Sequence, residues 1–228
     1  LRLSMDQSAF YRVPDTLFWG VVLGGVVFCL GYAASRVFRQ PLPSHVPGGK
    51  AKAERHTLFQ RVFHWANVVS TAILLLSGLA MYRSPSLPDL GGPTAFWFSW
   101  HQWVTPMFLA LMTAHVLYEY RAPELDQMWV GGEGGRKYRP AQILFHWAIA
   151  SNLFVLVLTG FVLWKPLRAL LPLFLLGFGW DFIFFNRILH GFFTATLIAL
   201  LLAHVYFALF IRENWPRTRS MITGWENG

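Results

Sequence analysis

Asn186 to Arg212, NRILHGFFTATLIALLLAHVYFALFIR, is an almost unbroken apolar run. A run of this length commits that part of the chain to a membrane-spanning helix. Two histidines interrupt it, His190 and His204, fourteen residues apart. That spacing is roughly 21 Å of helix rise with a net rotation of about 40°. Both imidazoles therefore face one side of the helix, one near each membrane face. Ionisable groups inside a span are costly and mark functional sites facing the bundle interior. Imidazole is an axial ligand of haem iron, and two on one stripe suit two haems stacked across a membrane. The plain alternative is two packing histidines that hydrogen-bond between helices.

The rest of the chain fits a membrane protein. Of its 228 residues 55% are hydrophobic and only 13% charged, more apolar than a soluble domain of this size. The single cysteine, Cys29, rules out a disulfide framework, an all-cysteine iron–sulfur site and covalent haem attachment through Cys-x-x-Cys-His. The net charge of +8 points to cytoplasmic loops rather than to nucleic acid. No cleavable signal peptide is expected, because Asp6 and Asp15 precede a first apolar run long enough to span.

Five spans are expected, near residues 16–37, 58–82, 95–120, 141–164 and 186–212. The first carries no histidine, and Gly20 and Gly24 offer a small-xxx-small face for close packing. Pro106 can kink the third. Residues 165–185 are apolar but broken by Pro172, Gly177, Gly179 and Asp181, and are expected to be interfacial or re-entrant. Lys and Arg number thirteen on the side holding the loops after spans one and three and the C-terminal tail, against six on the other. This bias puts the N-terminus outside and the C-terminus in the cytoplasm. The expected organisation is an N-terminal helix and basic loop (1–57), a four-helix core (58–211) and a basic tail (212–228).

Spans two to five read as a duplication. Gln60, Phe63, His64, Trp65 and Ala66 recur as Gln142, Phe145, His146, Trp147 and Ala148. Leu76, Ser77 and Gly78 recur as Leu158, Thr159 and Gly160, and the pair His101 and His115 as His190 and His204. Each helix pair enters from the cytoplasm and returns to it, which makes the two parallel repeats about an axis along the membrane normal. The fold class is thus an all-α membrane protein of five transmembrane helices: a four-helix haem-binding bundle of two helix-pair repeats, plus one extra N-terminal helix.

Six span histidines, His64, His101, His115, His146, His190 and His204, fall into three symmetry pairs at two depths. That pattern favours haem ligation between facing helices. Zinc would want cysteine or carboxylate company that the spans lack. A transporter or proton conductor using histidine relays would need intramembrane acids, and only Glu119 lies near the inner histidines. A purely structural anchor with vestigial sites is the third reading.

The chain from about Leu58 to Gly224 resembles the cytochrome b subunits of membrane-bound formate dehydrogenases and thiosulfate-reductase-type molybdoenzymes. The residues that carry the resemblance are Arg61 to Trp65, Leu76 to Gly78, Lys137 to Gln142, Leu158 to Gly160, the His190–His204 spacing, and Ser220 to Gly224. The extra N-terminal span looks more like the thiosulfate-reductase type. The resemblance implies a dihaem anchor in a bacterial or archaeal inner membrane, passing electrons between a redox subunit and the quinone pool. It implies His101 with His190 for the outer haem b, His64 with His204 for the inner one, and quinone beside the inner haem. The redox partner is a molybdenum or iron–sulfur oxidoreductase subunit or a multihaem cytochrome c.

This sequence departs from that family at Arg139, where asparagine is typical in the quinone region, and at His115 and His146, where non-ligating residues are usual. Gln60, Asn67, Tyr138, Arg139, Gln142 and Asn152 supply polar groups near the inner histidines, as quinone contacts or as helix caps. Arg83, Lys165 and Arg187 can pair with outer-haem propionates. Under the repeat, the image of the His64–His204 pair is His146 with His115, so a third haem b is expected there. The alternative keeps two haems, with His115 and His204 sharing the inner one as in the cytochrome b of bc complexes.

Overall fold

The computed structural model describes residues 7–38, 53–82, 91–121, 140–166 and 180–226. Five long helices are found among them: α1 (Gln7–Phe38), α2 (Leu58–Tyr82), α3 (Thr94–Arg121), α4 (Pro140–Leu163) and α5 (Trp180–Leu209). A 3-10 turn at Arg212–Asn214 leads into a short α6 (Trp215–Thr223). Two two-residue strands, β1 (Ala53–Glu54) and β2 (Trp225–Glu226), pair antiparallel. The helical class expected from the sequence is what the chain adopts.

Four helical segments, Asp15–Ser35, Leu58–Tyr82, Gln142–Leu163 and Phe182–Leu209, are long and apolar enough to cross a bilayer. The protein is therefore a multi-pass membrane protein. Large apolar side chains such as Leu23, Val27, Leu30, Val62 and Phe154 stand exposed on the helices, as lipid-facing surfaces require. Helix α3 has 28 residues but is not among the four, since His101, Gln102 and three tryptophans dilute its aliphatic content.

The chain forms two compact units, residues 1–40 with 140–206 and residues 41–139 with 207–228. The first holds α1, α4 and most of α5. Phe145 lies parallel to His204, and Thr159 bonds His190, so the start of α4 meets the end of α5 and the pair runs antiparallel. On α1, Phe18, Gly25, Cys29 and Tyr32 follow one stripe; Phe18 and Cys29 are buried and Tyr32 meets Tyr206 edge-on. Gly25 is where α1 and α5 approach most tightly, because a Cβ there would stand 2.7 Å from Ala199 Cβ. Among the described residues nothing packs on the expected contact face at Gly20 and Gly24, since none has an atom within 4 Å of a Cβ built at either. The reason is rotational phase, since the stripe facing α5 passes through Gly25.

The second unit pairs α2 with α3. Ser77 bonds His101 at one end and Phe59 stacks on Tyr118 at the other, which again makes an antiparallel hairpin. Helix α2 opens with a capping box: Gln60 N–H donates to Thr57 Oγ1 (3.3 Å) and Thr57 N–H to Gln60 Oε1 (3.1 Å). Helix α3 runs through Pro106 without a break in assignment.

Two boundaries differ from expectation. Helix α5 begins at Trp180, so residues 180–185 are its first turns, not an interfacial piece; residues 167–179 lie outside those described. Helix α5 also stops at Leu209, and Ile211 is extended (φ −97°, ψ 101°). The tail beyond it is folded. Gly224 caps α6 in the left-handed region at φ 85°, and its carbonyl accepts from the N–H groups of Arg55 (2.8 Å) and His56 (3.2 Å). Arg61 Nη1 donates to Ile222 O (2.8 Å) and Trp65 Nε1 to Met221 O (3.2 Å). The tail is thereby tied to the first two turns of α2, on both sides of His64 in sequence.

Candidate functional site

The histidines are held by the same local devices in each unit. In the second unit, Ser77 Oγ donates its one proton to the Ile73 carbonyl (2.7 Å), shared with Leu74 O (3.2 Å), and lies 3.0 Å from His101 Nδ1. In the first, Thr159 Oγ1 donates to Val155 O (2.8 Å), shared with Leu156 O (3.1 Å), and lies 2.8 Å from His190 Nδ1. A hydroxyl has one proton and two acceptor lone pairs. A hydroxyl whose proton goes to the helix backbone has a lone pair left to accept from the imidazole, in the tautomer that carries its hydrogen on Nδ1. The lone pair is then on Nε2, the nitrogen that can bind a metal. One turn on, the Thr105 and Thr194 hydroxyls donate to the backbone carbonyls of His101 (2.6 Å) and His190 (2.7 Å), a further match between the units.

A glycine follows each hydroxyl. A Cβ at Gly78 would come 3.6 Å from His101 Cε1, and one at Gly160 3.6 Å from His190 Cε1. Cε1 is the carbon between the two ring nitrogens, so in both units the glycine backbone runs beside the same edge of the imidazole.

The other four span histidines also match across the units. Phe63 stacks on His115 at 4.2 Å and 12°, and Phe145 lies parallel to His204 at 5.9 Å and 15°. His64 meets Trp65 edge-on at 5.4 Å, and His146 meets Trp147 edge-on at 6.1 Å. His115 Nδ1 lies 3.9 Å from the Glu119 carboxylate one turn on.

Among the polar candidates, Gln60 serves the α2 cap. Asn67 Nδ2 donates back to Phe63 O (3.0 Å), while its Oδ1 is buried with no hydrogen-bond partner among the described residues. Asn152 is 4% exposed, and neither end of its amide has a described partner. Gln142 is exposed near the start of α4. Tyr138, Arg139 and Arg83 lie outside the described residues, whereas Lys165 and Arg187 are described and exposed. Among the described residues no three His, Cys, Asp or Glu side chains gather as a metal cluster. In the sequence Ser77 and Thr159 stand out as marks of the repeat and of the family resemblance, not as partners of the histidines. Their bonds to the histidines depend on the rotation of one helix against the next, which the spacing within a single helix does not carry.

A multi-pass helical membrane protein with imidazoles in matched settings has the make-up of a membrane cytochrome. The profile of the prokaryotic cytochrome b561 family matches residues 55–224, and the chain belongs to that family. It is also similar to the cytochrome b556(Fdn) subunit of the nitrate-inducible formate dehydrogenase of Escherichia coli K12, at 24% identity over 191 residues, covering 75% of this chain and 82% of that subunit. The corresponding subunits of Escherichia coli O157:H7 and Shigella flexneri match to the same extent. These similarities agree with the resemblance to formate-dehydrogenase cytochrome b subunits read from the sequence. Membership of a b-type cytochrome family implies haem b. The residues present fit it: imidazole is the right donor, and the buried Ser77 and Thr159 hydroxyls can accept from Nδ1–H of His101 and His190, the tautomer that leaves Nε2 to a metal.

Proposed function

We propose that this protein is the membrane-anchoring cytochrome b of a respiratory oxidoreductase complex, carrying electrons between a redox subunit and the quinone pool. The observation that carries the reading is the twofold recurrence of hydroxyl-to-Nδ1 contacts, which prepares His101 and His190 as Nε2 ligands. These two would hold the outer haem, and His64 with His204 the inner one. Haem b supplies one-electron chemistry at a potential tuned by its surroundings. The matched settings of His64 and His115 against those of His146 and His204 support a third haem on His115 and His146. Lys165 and Arg187, with Arg83, are the cations proposed for the outer-haem propionates.

In this reading α3 is the fifth span, the two helix hairpins are the repeats of a four-helix core between α1 and the tail, and the Lys and Arg bias puts the C-terminus in the cytoplasm of a bacterial or archaeal cell. The redox subunit is a molybdenum or iron–sulfur protein, as the formate dehydrogenase relatives suggest, or a multihaem cytochrome c. Asn67 and Asn152, which hold unused hydrogen-bonding capacity, join Arg139 and Gln142 as the groups proposed to meet quinone. The test is anaerobic mixing of the detergent-purified protein with a soluble quinol. A b-type absorption band should rise within the mixing experiment, and a quinone-site inhibitor should slow it. A protein with no b-type band in its dithionite-reduced spectrum would instead support a histidine-relay transporter.

A further inference from the structure

We infer that Ser77 and Thr159 are positioning residues that set the reduction potential of the outer haem through the Nδ1–H groups of its two axial histidines. The inference rests on the reading of His101 and His190 as ligands of one haem. Each hydroxyl is buried, with Ser77 0% and Thr159 4% exposed, so its bond to the ring is shielded from competing water. Each gives its proton to a carbonyl one turn back in its own helix, which turns an oxygen lone pair to the imidazole.

An acceptor on Nδ1–H draws the proton partly away and leaves the ring richer in electrons. Nε2 becomes a stronger donor, and the oxidised, more positive iron is stabilised over the reduced one. The hydroxyls therefore hold the outer haem at a lower potential than bis-imidazole ligation alone would give. The low dielectric inside a membrane strengthens such a bond relative to the same contact in water. Two different residue types, serine and threonine, keep the one shared feature, a hydroxyl immediately before a glycine. That is the feature the proposal requires, since the threonine methyl adds only packing.

The experiment is a redox titration of the full-length, haem-loaded protein with Ser77→Ala and Thr159→Val, and with Ser77→Cys and Ser77→Thr as graded controls. Haem content is measured alongside, together with the low-spin ferric EPR spectrum. One b-haem should shift to higher potential in Ser77→Ala and in Thr159→Val, less in Ser77→Cys, and not in Ser77→Thr, with a change in the g-values of that haem alone. Loss of that haem in Ser77→Ala with retention in Ser77→Thr would also support the hydroxyl's role. Full haem content with unchanged potential and g-values in both Ser77→Ala and Thr159→Val overturns it. Should Ser77→Ala fail to accumulate, an unshifted potential in Ser77→Cys and Thr159→Val overturns it equally. His190→Ala separates this from the ligand reading: if that variant keeps every haem, the assignment of the ligands has failed rather than the role of the hydroxyls.

Discussion

Gly224 shows how much one backbone position can hold. Its φ of 85° suits glycine, and a Cβ there would stand 3.2 Å from the His56 carbonyl and 3.3 Å from Arg61 Cζ. The left-handed conformation costs a side-chain-bearing residue about 1–2 kcal/mol, and the crowding adds to it. Gly224→Ala should therefore loosen the carbonyl that receives Arg55 and His56, and with it the Arg61 and Trp65 bonds to the tail. The expected result is a lower Tm and faster tryptic cleavage at Arg217 and Arg219 in the folded protein; unchanged cleavage would show that the tail is held by other contacts. Glycine at a helix end is a C-cap signal, and Pro216 near the start of α6 is an N-terminal one. Both stand in the sequence, but they mark only where a helix begins and ends, not that the tail folds back on the start of α2. The T-x-x-Q capping box at Thr57 and Gln60 is equally legible, and of the two roles open to Gln60 in the sequence, quinone contact or helix cap, the structure shows the cap. The histidines themselves were plain in the sequence, since an ionisable group in an apolar run stands out.

At the scale of elements, periodicity and length carried most of the reading. Helix α2 has the expected limits, and α3 and α4 lie within one residue at each end. The early start of α5 was missed because Gly177, Gly179 and Asp181 read as interruptions, although an acid belongs in a first helical turn. Packing between helices was legible only as a motif. Gly20 and Gly24 satisfy the small-xxx-small rule, but the rule does not say which way the helix is turned. Gly25 is the residue pressed against Ala199. Gly25→Leu should force α1 away from α5 and cost about 1–3 kcal/mol, the range for overpacking a close contact. Gly24→Leu should leave stability nearly unchanged. Thermal melts of the two variants in detergent, followed by haem absorbance or fluorescence, compare them directly. Equal loss in both would mean that α1 packs on a different face.

At the scale of the whole molecule, the outstanding quantity is the number of haems. Each unit contains one helix hairpin, one hydroxyl-bound histidine, one histidine lying parallel to a phenylalanine, and one edge-on to a tryptophan. A haem held by His64 and His204 takes its edge-on histidine from one repeat and its phenylalanine-parallel histidine from the other. His146 and His115 are the same two kinds of histidine with the repeats exchanged. Evolution of a packing residue gives no reason for both members of that image to be imidazoles, or for each to have the aromatic neighbour of its counterpart. A third haem is therefore expected. The rival arrangement pairs the two phenylalanine-parallel histidines, His115 and His204, on a single inner haem and leaves His64 and His146 without iron. Pyridine haemochrome analysis against protein mass distinguishes them. The expected ratio is near three haems per chain, His146→Phe should lower it by one while sparing the other two spectra, and His64→Phe should lower it by one as well. A wild-type ratio near two, unchanged in His146→Phe, would exclude the third site, and an unchanged ratio in His64→Phe would then place the inner haem on His115 and His204.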